Sequence, residues 1–518
     1  VVVWFIESSH QEHVVKVAML KVFAMLQAIL SMPRHSESTA RAWLTLYGAL
    51  TIAVYAVFCV YLQEHYQAWS RESRNSSNLV LIPGIALLLY VYYQGYRLLR
   101  DYPSRIFVPM IVFGILAGIA ALLTPSFYSF DLQTYINYGW QQFRYHANPY
   151  CLLVAGTQGF GTDPMFTDAW ALNPIPYGFA FAHICRLVVE HCEGDIHKAV
   201  SIFKATNFSA WLMLAAVVYF GARRLKLPRP DLSLYLYLWS PIVMLHSLSG
   251  CHNDILMTLP VMAGLLCATF PQLWVAMLSV PLLVIGSMVK YVWAAAIPFL
   301  LMYLVYSQKR AAALLGAVLA VAAIVAISWH YRCDPSTIRW VEFRYNLSTN
   351  TNSLSAVVQN VGTMLAMALN HHQITSAGEN AVNYACSFVK MTLWGALIGI
   401  FGNLLLQCWE RRSNLAVSDV VRAGVTMILI LTCFVSSKFY PWYIMMFFPA
   451  ALWLPEKNLV RRIAIAVSCT QVFAVTLLGH GHFTNFVFLT LTPALITWWL
   501  TKKSNQTGDT LKSGDNAV

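Results

Sequence analysis

The sequence predicts an all-α polytopic membrane protein, and three observations carry that prediction. Of the 518 residues, 58% are hydrophobic and only 11% are charged, whereas soluble domains carry about 25% charged residues. Mean hydropathy is +0.57. The apolar residues fall in blocks of about 17–25, long enough to cross a hydrocarbon core of about 30 Å. A water-soluble enzyme is excluded. So is a disordered chain, because 14% of the residues are aromatic and the apolar ones are not scattered. The net charge of +12, from 34 Lys and Arg against 22 Asp and Glu, reads as membrane topology and not as a nucleic-acid surface, since the basic residues cluster between apolar blocks.

The blocks give about fourteen transmembrane helices, within a range of about 12 to 15. In order they are Trp43–Leu62, Leu79–Leu98, Ile106–Thr124, Ile202–Arg223, Leu232–Leu248, Ile255–Phe270, Leu273–Val289, Trp293–Tyr306, Ala311–Trp329, Met391–Trp409, Val421–Val435, Tyr443–Leu454, Ile463–Leu478 and Phe486–Leu500. If they alternate, most basic clusters share one side: Arg97/Arg100/Arg105, Arg223/Arg224/Lys226/Arg229, Lys309/Arg310, Arg411/Arg412, Lys457/Arg461/Arg462 and Lys502/Lys503. Positive charge marks the cytoplasmic side, which predicts both termini there. Arg71 and Arg74 are exceptions. The chain divides into an N-terminal segment (1–42), interfacial or upstream of a true start near Met32, three helices (43–124), a large external loop with juxtamembrane helices (125–198), central helices (199–329), a second external loop (330–390), C-terminal helices (391–503) and a polar tail (504–518) expected to be a disordered cytoplasmic segment.

Loops as long as 125–198 and 330–390 carry function in an otherwise economical membrane protein. Asp131 lies just past the third block, at the depth where headgroups meet water. A carboxylate there serves as a general base toward a hydroxyl, or caps a helix beginning at Leu132. His252, Asn253 and Asp254 stand at the head of an apolar helix, either as a solvated turn or as the buried polar groups that mark a membrane site. Lys290 occupies another turn with apolar sequence on both sides; it snorkels to the interface or binds a lipid phosphate. Lys438, Tyr440 and Trp442 join a cation to rings that form an interfacial belt or stack on sugar. His480 and His482 lack a neighbouring carboxylate, which weakens a metal reading. The eleven cysteines show no CxxC pair, so neither a zinc site nor a disulfide framework is indicated, and most read as apolar packing residues. Asn75, Asn207, Asn346 and Asn505 begin Asn-x-Ser/Thr sequons.

The order of these motifs resembles a known family. SFDLQTYINYG (129–139), NPY (148–150), PIPYG (174–178), SPIVMLHSLSGCHNDILM (240–257), MVKYVWAAAIPFL (288–300) and KFYPWY (438–443) are similar to the polyprenol-phosphate-mannose-dependent α-1,6-mannosyltransferases, multispanning GT-C glycosyltransferases of bacterial cell-envelope synthesis. The resemblance runs from about Ile106 to Leu454. It implies a GT-C type bundle in the bacterial inner membrane, with the active site facing outward and Asp131 as catalytic base. Lys290, His252, Asn253, Asp254, Lys438, Tyr440 and Trp442 would meet the donor, and Tyr135, Asn148, Tyr150 and Tyr177 would shape the loop or meet the acceptor. The implied partners are a polyprenyl-phosphate-sugar donor, a glycan or glycolipid acceptor and membrane lipids, with no nucleic acid. A divalent metal, Mg2+ or Mn2+, is compatible with such chemistry but not required, because lysines can neutralise a monophosphate leaving group. Tyr177-Gly178-Phe179 departs from the family's Tyr-Gly-Pro, and Lys204 stands where an arginine is frequent. The competing reading is a transporter or flippase of a polyprenyl-linked sugar, which would place its ionisable groups near mid-span.

Overall fold

The structure, a computed structural model, describes residues 39–65, 71–126, 129–332, 351, 353–369, 375–474 and 485–514. The expected N-terminal segment as far as residue 38 and the His480/His482 pair lie outside them. Among the described residues the regular elements are helical, apart from an isolated parallel bridge between Thr351 and Lys438. Helices α1 (Ala40–His65), α2 (Arg71–Asp101) and α3 (Pro103–Leu123) form the first group; α4 (Asp131–Tyr145) and α5 (Phe179–Glu190) lie in the first long loop. There follow α6 (Ile196–Arg224), α7 (Pro230–Leu238), α8 (Asp254–Ala268), α9 (Ser279–Ser287), α10 (Ile297–Tyr306), α11 (Arg310–Trp329), α12 (Leu354–Leu369), α13 (Ser376–Glu410), α14 (Val417–Ile430), α15 (Leu459–Gln471) and α16 (Thr492–Gly514).

The all-α polytopic class holds, and the apolar blocks correspond to helices of unequal length, several of them broken. Six described helices are long and apolar enough to cross a membrane, or seven if α7 and Pro241–Ser249, bent by 42°, count as one. The predicted block Leu273–Val289 splits into Leu273–Ala276 and α9, and the blocks at 293–306 and 443–454 begin as 3-10 turns. Proline explains several of these breaks. Pro241, Pro298, Pro441 and Pro449 each open the piece after a break, the one helical position where a missing N–H leaves nothing unpaired. Two boundaries also move. Helix α13 starts at Ser376, inside the expected second loop, because Thr375 caps it by accepting from the Gly378 amide at 3.1 Å. Helix α16 runs to Gly514, so the segment expected to be a disordered tail is helical up to that residue.

Basic side chains close helix C-termini at one end of the bundle, where the backbone presents unpaired carbonyls and the negative end of the helix dipole. Arg229 donates to the Leu99 carbonyl at 2.7 Å and the Arg100 carbonyl at 2.9 Å. Lys309 reaches Ala268 and Phe270 at 2.7 and 2.8 Å, and Arg461 reaches Leu454 at 2.6 Å. The polar candidates gather at the opposite end.

Candidate active site

Helix α3 ends in a fully partnered carbonyl rim, and this fixes where the chain goes next. The Ala120 carbonyl accepts from the Thr124 hydroxyl at 3.2 Å, Ala121 from Ser249 at 2.7 Å, and Leu123 from the Cys59 thiol at 3.3 Å. Lys204 from α6 supplies the rest, donating to Leu122 at 2.7 Å and Thr124 at 2.6 Å. The rim anchors the loop that leads to Asp131. That residue is the first of α4, and Phe130, at the cap position, makes no side-chain cap. The helix-capping reading of Asp131 therefore fails.

Its carboxylate faces His252 instead, with Oδ2 3.1 Å from Nδ1 across 121 residues of sequence. An ionised carboxylate only accepts, so this bond requires the proton on Nδ1. Burial alone would raise the Asp131 carboxyl. The hydrogen bond and charge of His252, the Ser129 hydroxyl and the charge of Lys290 outweigh burial and hold it below the usual carboxylate range. The imidazole is fixed from behind. A π-helical turn, Met244–Ser249, leads into it, Cys251 takes a left-handed conformation at φ 56°, and the Asn207 amide donates to the carbonyls of Ser247 at 2.9 Å and His252 at 3.0 Å. Sequence reading met Asn207 only as a sequon. The available signal was an amide in an apolar helix, which must find partners when buried.

Lys290 does not snorkel. Its Nζ lies 2.7 Å from Asp254 Oδ1, with side chains 12% and 1% exposed, and it sits 5.6 Å from the Tyr177 ring centroid and 5.0 Å from that of Tyr443. The hairpin carrying it is docked on the first loop, since the Gly178 amide donates to the Val289 carbonyl and the Ala180 amide to the Met288 carbonyl at 3.0 and 3.1 Å. A Cβ on Gly178 would overlap the Met288 carbonyl. Gly178→Ala is therefore expected to cost about 1–3 kcal/mol and to move the Lys290 hairpin, giving a lower midpoint of thermal unfolding in detergent.

The loop residues Tyr135, Asn148, Tyr150 and Tyr177 interlock. The Tyr150 hydroxyl donates to the Tyr177 carbonyl at 2.9 Å, and Asn148 Oδ1 accepts from the Tyr150 amide at 3.0 Å. Tyr135 meets Tyr177 edge-on at 5.5 Å and accepts from the Asn253 amide at 3.4 Å. Farther along the loop, Asp163 accepts from the Trp140 indole and the Tyr145 hydroxyl, both at 2.8 Å. Cys151 is disulfide-bonded, and the other described cysteines are free.

Trp442 also departs from expectation. It is buried and sandwiched between the His252 imidazole, 3.9 Å away at an interplanar angle of 11°, and the Tyr440 ring at 4.6 Å and 2°. Both of its faces are occupied, so it braces His252 and has no face left for a sugar. Lys438 follows a second π-helical turn, Leu431–Val435; burial lowers its pKa, and it makes no ion pair among the described residues.

Among the described residues, four buried atoms at the centre of this constellation lack a hydrogen-bond partner: His252 Nε2, Asp254 Oδ2 and both polar atoms of the Asn253 side-chain amide. Buried polar groups left open in this way call for a bound group or water to complete them. Among the described residues no cluster of three or more His, Cys, Asp and Glu side chains is placed to hold a metal. The two central carboxylates already face His252 and Lys290. The arrangement offers a held carboxylate, a paired cation and open polar atoms in one buried place.

The family model described as alpha-(1->6)-mannopyranosyltransferase, N-terminal domain, matches residues 38–306. That range includes Asp131, His252, Asp254 and Lys290 and stops short of Lys438, Tyr440 and Trp442. No curated protein and no solved structure gives a match.

Proposed function

Because the chain belongs to the alpha-(1->6)-mannopyranosyltransferase family and is built as a multi-pass membrane protein, we propose that it is a GT-C type enzyme. It would transfer mannose from a polyprenyl-phosphate donor to a hydroxyl of an extracytoplasmic glycan or glycolipid. The observation that carries this reading is the convergence of Asp131–His252 and Lys290–Asp254 at one end of the bundle, beside open polar atoms. The basic helix caps at the other end support a cytoplasmic assignment there. The Cys151 disulfide supports an oxidising, external location for the first loop, as expected for a bacterial inner-membrane enzyme with an outward-facing site.

In the proposed step Asp131 removes the acceptor hydroxyl proton, with His252 holding one carboxylate oxygen. The acceptor oxygen forms a bond to the anomeric carbon, and the bond from that carbon to the phosphate oxygen breaks on the opposite face. The electron pair leaves with the polyprenyl phosphate. Lys290, and Lys438 from the turn before Pro441, neutralise the growing phosphate charge, the most effective use of preorganised cations in a dry site. Asn253, Asp254 Oδ2 and Tyr440 are the proposed sugar contacts. Single displacement inverts, so an α-linked product requires a β-linked donor.

The test is detergent-purified protein incubated with synthetic polyprenyl-phosphate-mannose and a mannoside acceptor. An α-1,6-linked product from the β-linked donor, with the α-linked isomer inert, is expected. If no polyprenyl-phosphate sugar is turned over while liposomes containing the protein move a fluorescent polyprenyl-linked sugar between leaflets, the chain is a flippase and the enzyme reading falls.

A further inference from the structure

Helix α5 buries Ala182, Cys185 and Val189 and leaves one face outside the core. His183, Arg186, Leu187 and Glu190 recur on that face at i, i+3, i+4 and i+7. The helix packs against the outer end of α11. Leu314, Val318, Val321, Val325 and Trp329, the last 64% exposed, form an uncovered ridge along α11. An aliphatic ridge on a membrane-bundle helix that ends in an exposed tryptophan is a surface for acyl chains, with the ring at headgroup level. Directly past that ring come His330 and Arg332, whose guanidinium lies 4.3 Å from the Trp329 ring centroid.

The charges above the ridge are arranged unusually. Arg186 Nη1 lies 3.0 Å from His330 Nε2, so a guanidinium donates to another basic side chain. Glu190, four residues on, is the partner that helix geometry offers, yet Arg186 makes no ion pair among the described residues, and its Nε is buried without an acceptor. Burial and then the charges of Arg186 and His330 hold His183 below the usual histidine range, against the opposing charge of Glu190. The group needed to complete this cluster is an anion. It would accept from Arg186 Nε and from a ring N–H of His183 or His330, and it would sit where the acyl ridge ends.

We propose that His183, Arg186, His330 and Arg332 form a docking site for the phosphodiester headgroup of an anionic phospholipid, whose acyl chains lie along the α11 ridge below Trp329. Clustered basic residues at a membrane surface select anionic headgroups by charge, and a guanidinium adds directed hydrogen bonds to phosphate oxygens. The site would tie the first external loop, through α5, to the leaflet in which a lipid substrate arrives.

The test uses the full-length protein in a neutral detergent, with thermal unfolding followed as phosphatidylglycerol, phosphatidylcholine or inorganic phosphate is added. Phosphatidylglycerol is expected to raise the wild-type midpoint by about 2–4 °C, with no comparable shift from phosphatidylcholine or phosphate. Arg186→Gln and His330→Gln should each lose at least half of that shift. Native mass spectrometry should show phospholipid retained by the wild type and depleted in Arg186→Gln. Equal phosphatidylglycerol shifts in wild type and both variants would overturn the proposal, as would a shift reproduced by inorganic phosphate at equal concentration. None of these readouts requires turnover, so they stand or fall independently of the glycosyltransferase reading.

Discussion

Asp131→Asn should lower kcat for mannosyl transfer by about 10^2–10^4-fold, the range supplied by a positioned general base, while leaving the donor KM nearly unchanged and lowering the unfolding midpoint only by what the carboxylate charge contributes. The amide oxygen of Asn still accepts from His252 Nδ1, so the local hydrogen bond survives and only the proton acceptor is lost. Turnover equal to wild type would remove Asp131 as base. The companion variant, His252→Gln, reads the same residue through pH. Asp131 is held below its ordinary value of 3.8 chiefly because His252 opposes the effect of burial. A group with a lowered folded pKa loses its ionised form as pH falls through that value. Wild-type activity should therefore persist well into acid. Without His252 burial is less opposed, the carboxyl rises, and the acid limb of kcat/KM should move to higher pH. The stability that ionised Asp131 contributes, full above the unfolded value, should disappear earlier on acidification in the same variant.

The second large effect is at Lys290. Its 2.7 Å pair with Asp254 is almost wholly buried, and removing one partner of a buried pair leaves an uncompensated charge at a cost of about 3–5 kcal/mol. Lys290→Met should thus lower both stability and turnover, the latter by about 10^2–10^3-fold if it supplies leaving-group stabilisation. Loss of fold and loss of chemistry are separated by Lys290→Met with Asp254→Leu. The double variant removes both charges, so its unfolding midpoint should recover most of the loss while its turnover stays low. If activity recovers along with stability, Lys290 is a structural ion and not part of the reaction.

What could be read from the sequence, and what could not, follows from the range of the interactions involved. Ionisable residues in apolar surroundings announce themselves one at a time, which is why Asp131, His252, Asp254 and Lys290 stood out. The alternation of apolar blocks placed them on one side. Their pairing was not legible, since Asp131 and His252 are 121 positions apart and Lys290 and Asp254 are 36 apart. Nor was the role of Trp442 legible, because a tryptophan in an outer turn is ordinary at a membrane interface and only the fold shows an imidazole against its face. Asn207 carried the signal of a surface sequon and turned out to tie two carbonyls of the His252 turn. The breaks within the apolar blocks were not legible either, for a physical reason. Prolines and π-helical turns interrupt the central helices without interrupting their hydrophobicity, so composition does not show where the backbone bends.

The partnered rim at the end of α3 bears on how a carboxylate can work where Asp131 stands. A helix C-terminus carries about half a negative charge, and here that end is directed toward the loop that delivers the proposed base. Left bare, it would repel an anion a few residues away and favour the neutral acid, which cannot take a proton. Lys204 sets one full positive charge on two of those carbonyls, more than cancelling the partial charge of the terminus. The membrane part of the molecule thus offsets the negative helix end from which the Asp131 loop departs, through a residue that need never touch either substrate, while His252, Ser129 and Lys290 hold the carboxyl itself low.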